Sequence, residues 1–165
     1  MELWDGYRKD GSLAGVDLVR GQPIPPDIYH IVCGALLRHD DGSYLLMLRH
    51  PDKPWGNRWE ATAAGHSLKG EDPETCIRRE LYEETGIHGE DFRLLDYRIV
   101  AGNGMFYTYL CRTDAPKDSV RLQEGETVGY RWLSEEEFRD FVRSGEILEG
   151  QMERCRAYFQ EMGYL

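Results

Sequence analysis

A chain of 165 residues, 41% hydrophobic and 30% charged, carries enough apolar material for one folded domain with its own core. A formal net charge of −10 and a pI near 5.0 argue against nonspecific nucleic-acid binding, which depends on Lys and Arg meeting phosphate. No run approaches the roughly 20 apolar residues that span a bilayer, and Met1 to Asp10 alternates apolar with charged groups instead of forming a secretion signal.

The pattern predicts a single domain over residues 1–165. Residues 1–20 predict a β-hairpin, with strand-like runs between Leu3 and Val19 around the turn Lys9-Asp10-Gly11-Ser12. Gly21 to Pro26 breaks regular structure and links onto the main body. Ile31–Leu37 and Tyr44–Leu48 are near-continuous apolar runs, predicted as two adjacent buried strands joined by the turn His39–Gly42. A loop, Pro51 to Asn57, leads to a short strand from Trp59 to about Ala64-Gly65. Asp72-Pro73 combines an N-cap residue with proline at the first helical position, and Gly86 supplies a stop, which predicts a helix from Pro73 to Thr85.

Strands are expected at Phe92–Val100, Met105–Arg112 and Val128–Trp132. Ser134 and Glu137 form a capping-box pattern that opens a helix ended by Gly145. A last helix carries Met152, Cys155, Phe159 and Met162 on one face, a stripe suited to core packing. Strands interleaved with helices predict an α/β sandwich: a mixed sheet with helices on its faces. Cys33, Cys76, Cys111 and Cys155 stand apart in apolar or helical surroundings and are read as reduced core residues, which implies a cytoplasmic location.

The chemistry concentrates in Gly65–Ile87, GHSLKGEDPETCIRRELYEETGI. Helical spacing puts Glu80, Glu83 and Glu84 on one face, while Ile77 and Leu81 turn toward the sheet. Crowded carboxylates repel unless a cation sits among them, and oxygen-only ligands favour a hard ion, Mg²⁺ or Mn²⁺. A glutamate-rich surface helix held by Arg78, Arg79 and Glu83 in ordinary salt bridges accounts for the helix alone equally well.

The full spacing resembles the Nudix box, G-x5-E-x7-R-E-U-x-E-E-x-G-U with U aliphatic. Gly65, Glu71, Arg79, Glu80, Leu81, Glu83, Glu84, Gly86 and Ile87 fill its fixed positions in turn. At background frequencies of about 5–10% per fixed letter, a chance match is on the order of one in a million. The resemblance implies a Nudix α/β/α sandwich that hydrolyses a diphosphate linkage in a small phosphorylated substrate. It implies that Glu80, Glu83, Glu84 and the Gly65 carbonyl hold Mg²⁺, with Mn²⁺ as a substitute. Arg79 would orient the glutamates and Glu71 would pair with Arg79. A further glutamate from a late loop often joins the site or acts as base in this family. Spacing to Trp132 selects Glu126 for that role, with Glu124 second. Trp55 and Lys53 are candidates for base stacking and phosphate contact, and Trp59 either packs against the sheet or floors the pocket.

Two other readings share the fold. The N-terminal hairpin, the Pro25–His30 approach to the first core strand, and Trp59–His66 resemble isopentenyl-diphosphate isomerase, with His30 and His66 at positions like two of its metal ligands. That enzyme, however, needs a catalytic cysteine just before the box glycine, where this chain has Ala64, and its box is degraded, whereas this one is intact. A ligand-sensing module without catalysis is the third reading, but such proteins usually lose box glutamates, and none is missing. The sequence leaves open a homodimer in which the first hairpin swaps between subunits.

Overall fold

A computed structural model describes every residue from Met1 to Leu165. The N-terminal hairpin forms as expected: β1 (Leu3–Tyr7) and β2 (Leu13–Val19) pair antiparallel as a separate two-stranded sheet. The main sheet is mixed and contains β3 (His30–His39), β4 (Tyr44–Arg49), β5 (Trp59–Glu60), β6 (Ala63–His66), β7 (Glu90–Val100), β8 (Gly104–Thr113) and β9 (Thr127–Leu133). Three helices complete the chain: α1 (Pro73–Thr85), α2 (Glu135–Arg143) and α3 (Glu149–Glu161). No helix is long and apolar enough to cross a membrane.

β3 runs parallel to β8 over its whole length, from His30 beside Gly104 to His39 beside Thr113. β3 and β4 pair only next to their turn, at Arg38 and Tyr44. The two runs are the adjacent buried strands expected, but beyond that point they part. β6 takes over along β3, while β9 and β5 line β4. The gap would strand backbone polar groups in the interior, which folded proteins avoid. Thr62, fully buried, fills it. Its hydroxyl accepts from Leu37 N at 2.9 Å and donates to Leu45 O at 2.8 Å, bridging the two parted strands.

Two apolar clusters cover the faces. Ile77 and Leu81 of α1 join Cys33, Leu37, Leu45 and Met105 on one side. Phe138 and Phe141 of α2 and Cys155 and Phe159 of α3 pack with Leu36, Tyr44 and Leu46 on the other. The α3 stripe therefore packs inward, with Met152 and Met162 at the margin of that cluster. All four cysteines are buried and free.

Local signals explain the ends of α1. Asp72 accepts from Thr75 N at 2.7 Å, Pro73 opens the first turn, and Gly86 closes the helix at φ 72°, donating to Tyr82 O at 2.8 Å. At α2 the Ser134–Glu137 capping box forms in both directions.

Thr62→Val keeps the shape of the side chain but leaves the Leu37 amide and the Leu45 carbonyl unpaired in the interior. The expected cost is about 2–4 kcal/mol of stability, read as a lower urea midpoint with an unchanged slope.

Candidate active site

The Gly65–Ile87 segment is built as a loop and a helix locked together by one guanidinium. Arg79 on α1 donates to both oxygens of Glu71, at 2.7 and 3.0 Å, and to the carbonyl of His66 at 3.0 Å. It also reaches Glu80 at 2.8 Å and Glu83 at 3.2 Å. Glu71 in turn accepts from Leu68 N at 2.9 Å, so the loop folds back on the helix. Burial pushes the Glu71 carboxyl up, but Arg79 and the Leu68 amide outweigh it and leave it below its ordinary value. Gly65 is set by contact: a Cβ there would lie 2.1 Å from the Glu80 carboxyl carbon.

A cleft of about 430 Å³ opens along this segment. Gly65, Arg79, Glu80, Glu83 and Glu84 all line it. Glu126, from the loop before β9, lies there too, paired with Lys53. Glu124 is exposed and lies outside the cleft.

The three box glutamates differ in environment. Glu83 is 42% exposed at its side chain, and Glu80 is largely covered. Glu84 is buried at 5% exposure. Burial pushes the Glu84 carboxyl well above its ordinary value, and the neighbouring Glu60 and Glu80 push it further. Glu80 has Arg79 and Glu60 has Arg49, at 2.8 Å each, but Glu84 has no partner. The carboxylates do not converge as the helical spacing suggests: no three His, Cys, Asp or Glu side chains stand together as a ready-made metal cage. Arg79 draws Glu80 and Glu83 to itself instead. The donor set still fits a hard cation, because it is all oxygen and leaves one buried anion uncompensated.

The tryptophans lie elsewhere. Trp59 packs at the margin of the α2–α3 cluster with the Arg131 guanidinium 4.5 Å from its ring. Trp55 is 67% exposed and faces a separate groove beside α3. Lys53 is the one residue of the three that reaches the cleft.

Three charged cleft residues, Arg49, Glu2 and Arg20, escaped sequence reasoning. Arg49 and Glu60 pair across neighbouring strands, and only the register of β4 and β5 would have placed them. Glu2 and Arg20 come from the hairpin, 3.1 Å apart. The hairpin docks on the box loop: Lys69 N donates to Leu3 O at 2.9 Å, Gly70 N to Asp5 at 2.7 Å, and Lys69 Nζ to Asp17 at 2.6 Å. Trp4 stacks on both His30 and His66, with ring centroids 4.8 and 4.5 Å away.

A family model for the NUDIX domain matches residues 28–150. The chain belongs to the Nudix family. Members of this family typically hydrolyse pyrophosphate bonds. The chain is similar to an uncharacterized Nudix hydrolase of Listeria monocytogenes, 28% identical over 159 residues and covering 90% of this chain and 89% of that protein. It also resembles an isopentenyl-diphosphate Delta-isomerase of Corynebacterium diphtheriae, 30% identical over 112 residues and 60% of each chain. A crystal structure of DR0079 from Deinococcus radiodurans shares the fold, with a TM-score of 0.71 at 22% identity, over 95% of this chain and 99% of that one. Residues 1–20, including Arg20 and Glu2, lie outside the matched family region.

The two histidines give a pH signature. His30 Nε2 donates to Gly102 O at 3.2 Å, and its Nδ1 lies 3.3 Å from His66 Nδ1, a contact in which one nitrogen donates and the other accepts. Burial lowers both, and His30 adds to the drop at His66, which falls to about 4 from 6.5. Since protonation is easier in the unfolded chain, this contribution to stability is complete above pH 6.5 and is lost as pH falls toward 4. His66→Phe keeps a flat ring in the stack and removes the titration. Its urea midpoint is expected to fall less than that of the wild type across that range, and parallel curves would count against the assignment.

Proposed function

We propose that this enzyme directs water at phosphorus in a diphosphate linkage of a small organic substrate, with a divalent cation bound among Glu80, Glu83, Glu84 and the Gly65 carbonyl. The supporting observation is Glu84: a buried carboxylate without a partner, crowded by two others, on the wall of an open cleft. A bound Mg²⁺, or Mn²⁺ in its place, would neutralise phosphate charge and lower the pKa of water in its shell.

The chain's own groups divide the remaining work. Arg79, fixed by Glu71, sets where Glu80 and Glu83 stand. Lys53 and Arg20 offer positive charge to phosphate oxygens from the cleft wall. Glu126 takes a proton from the attacking water as the new P–O bond forms and the bridging P–O bond breaks, and Lys53 steadies its carboxylate until then. Residues 1–165 act as one unit in this reading, since the hairpin supplies Arg20. The buried free cysteines suit a reducing compartment, which supports a cytoplasmic location. An isomerase reading fails at Ala64, whose methyl group can relay no proton.

A panel of diphosphate substrates incubated with Mg²⁺ in H₂¹⁸O tests the reaction: ¹⁸O should enter one phosphate product, and EDTA should stop turnover. Glu84→Gln removes a buried, uncompensated charge, whose neutral form the fold favours. Without a divalent cation at pH 8 it should therefore match or exceed the wild type in melting temperature. With Mg²⁺ its kcat should fall by about a hundredfold or more. Near-normal turnover would sink the metal assignment.

The base assignment has its own check. Glu126→Gln should lower kcat by about 100-fold or more with KM little changed, while Glu124→Gln stays within about twofold of the wild type. Equal, mild effects over pH 5 to 9 would return Glu126 to a surface role.

A further inference from the structure

β7 ends the main sheet on one side: β8 pairs along one of its edges, and the other edge has no neighbour. Such an edge presents a row of unpaired N–H and C=O groups, and folded proteins blunt it with Lys, Pro, a short strand or a cover. β7 has little of this protection. It runs for 11 residues, EDFRLLDYRIV, without a Lys or a Pro. Three large apolar side chains stand exposed along it: Leu94 at 49%, Tyr97 at 43% and Ile99 at 40%.

The register on β8 shows which face each residue takes, because residues directly opposite one another share a face. Leu94, Tyr97 and Ile99 stand opposite Tyr109, Tyr107 and Met105, which belong to the α1-side cluster or pack on it. Asp96 and Arg98 stand opposite Thr108 and Phe106 on the other face, where Arg98 donates to the Glu153 carbonyl of α3 at 3.2 Å. α3 thus covers one face of β7, while the three apolar side chains lie beyond the cover of α1.

The pairing slips between Leu94 and Asp96, so Leu95 is the extra residue of a bulge, and it packs on the α2–α3 cluster. The ladder positions around it read Leu94, Asp96, Tyr97, Arg98, Ile99. Run antiparallel against itself about Tyr97, this order is its own complement. Leu94 meets Ile99 of a second copy on the α1 face, Tyr97 meets Tyr97, and Asp96 meets Arg98 on the α3 face. Within one chain Asp96 already holds Arg98 through bonds of 2.7 and 2.8 Å. Across the axis the four charges alternate in sign. An axis moved one position either way sets Asp96 on Asp96 or Arg98 on Arg98, so charge selects the register.

We propose that β7 is the interface of a symmetric homodimer, in which two copies pair antiparallel about a two-fold axis at Tyr97 and join their main sheets into one. The hairpin takes no part and stays docked on the box loop of its own chain. None of the five ladder residues lines the cleft, so each copy keeps its own site.

Sedimentation equilibrium of the full chain from about 1 to 100 µM reads the mass, with circular dichroism as the check on folding. The wild type should reach twice the 19.1 kDa of one chain. Tyr97→Lys puts two cations face to face on the axis, and Asp96→Arg puts a guanidinium against Arg98. Each should raise the dissociation constant by about 100-fold or more. Asp96→Arg combined with Arg98→Asp restores the alternation of charge and should bring the dimer back. A wild type that stays monomeric overturns the interface, and so does a dimer that survives both single changes, since another surface then holds it. Where Tyr97→Lys fails to fold, the charge variants decide. Dissociation in Asp96→Arg with recovery in the double variant upholds the interface, and the same mass in both overturns it.

Discussion

The Arg79 guanidinium is the constraint on which the cleft depends. A planar fork that donates to both oxygens of Glu71 and to the His66 carbonyl fixes the loop against α1. Its remaining donors reach Glu80 and Glu83. Lysine could not do this, because a point charge on a flexible stem lacks the bidentate geometry. The arrangement also explains Gly65. With the loop held this close, Glu80 occupies the space where a side chain at that position would begin.

Holding so many carboxylates in and around one cleft is electrostatically expensive, and the chain meets the cost unevenly. Glu71 is satisfied outright, and Glu60 leans on Arg49 through two bonds of 2.8 and 2.9 Å. Glu126 has Lys53. Glu84 alone is left buried and uncompensated, a state that removal of solvent makes unfavourable for any anion. A fold selected for stability alone would put glutamine or an apolar residue there. The exception points to a ligand of positive charge, and the surrounding cations point to one of negative charge beside it.

What the sequence made legible was local. Asp72-Pro73 and Gly86 bounded α1 because caps act over four residues, and the box letters declared themselves by spacing. The hairpin turn at Lys9–Ser12 and the Ser134–Glu137 box were visible for the same reason. The parting of β3 and β4 was not, since both runs are apolar throughout and nothing in their pattern says where pairing stops; Thr62, which closes the gap, lies 17 residues from one partner and 25 from the other. The tryptophans were left undecided for a related reason. Aromatic residues near a box suit core and pocket equally, and the choice between them was made by tertiary packing: Trp59 went to Arg131 and the α2–α3 cluster, Trp55 to the surface.

The box residues and the other residues that wall the cleft and the groove beside α3 have different origins in the chain. The box, its helix and Arg79 form a unit whose internal contacts span few residues, so its geometry can persist while the surroundings change. Arg20 arrives on a hairpin outside the matched family region, docked through Lys69 and Gly70, two variable positions of the box. Trp55 arrives on a tightly wound loop, and Arg154 on the last helix, from the opposite layer of the sandwich. None of these three is held by the Arg79 lattice. The box can keep its internal geometry while such residues differ, which gives one fold room to vary what surrounds a constant site.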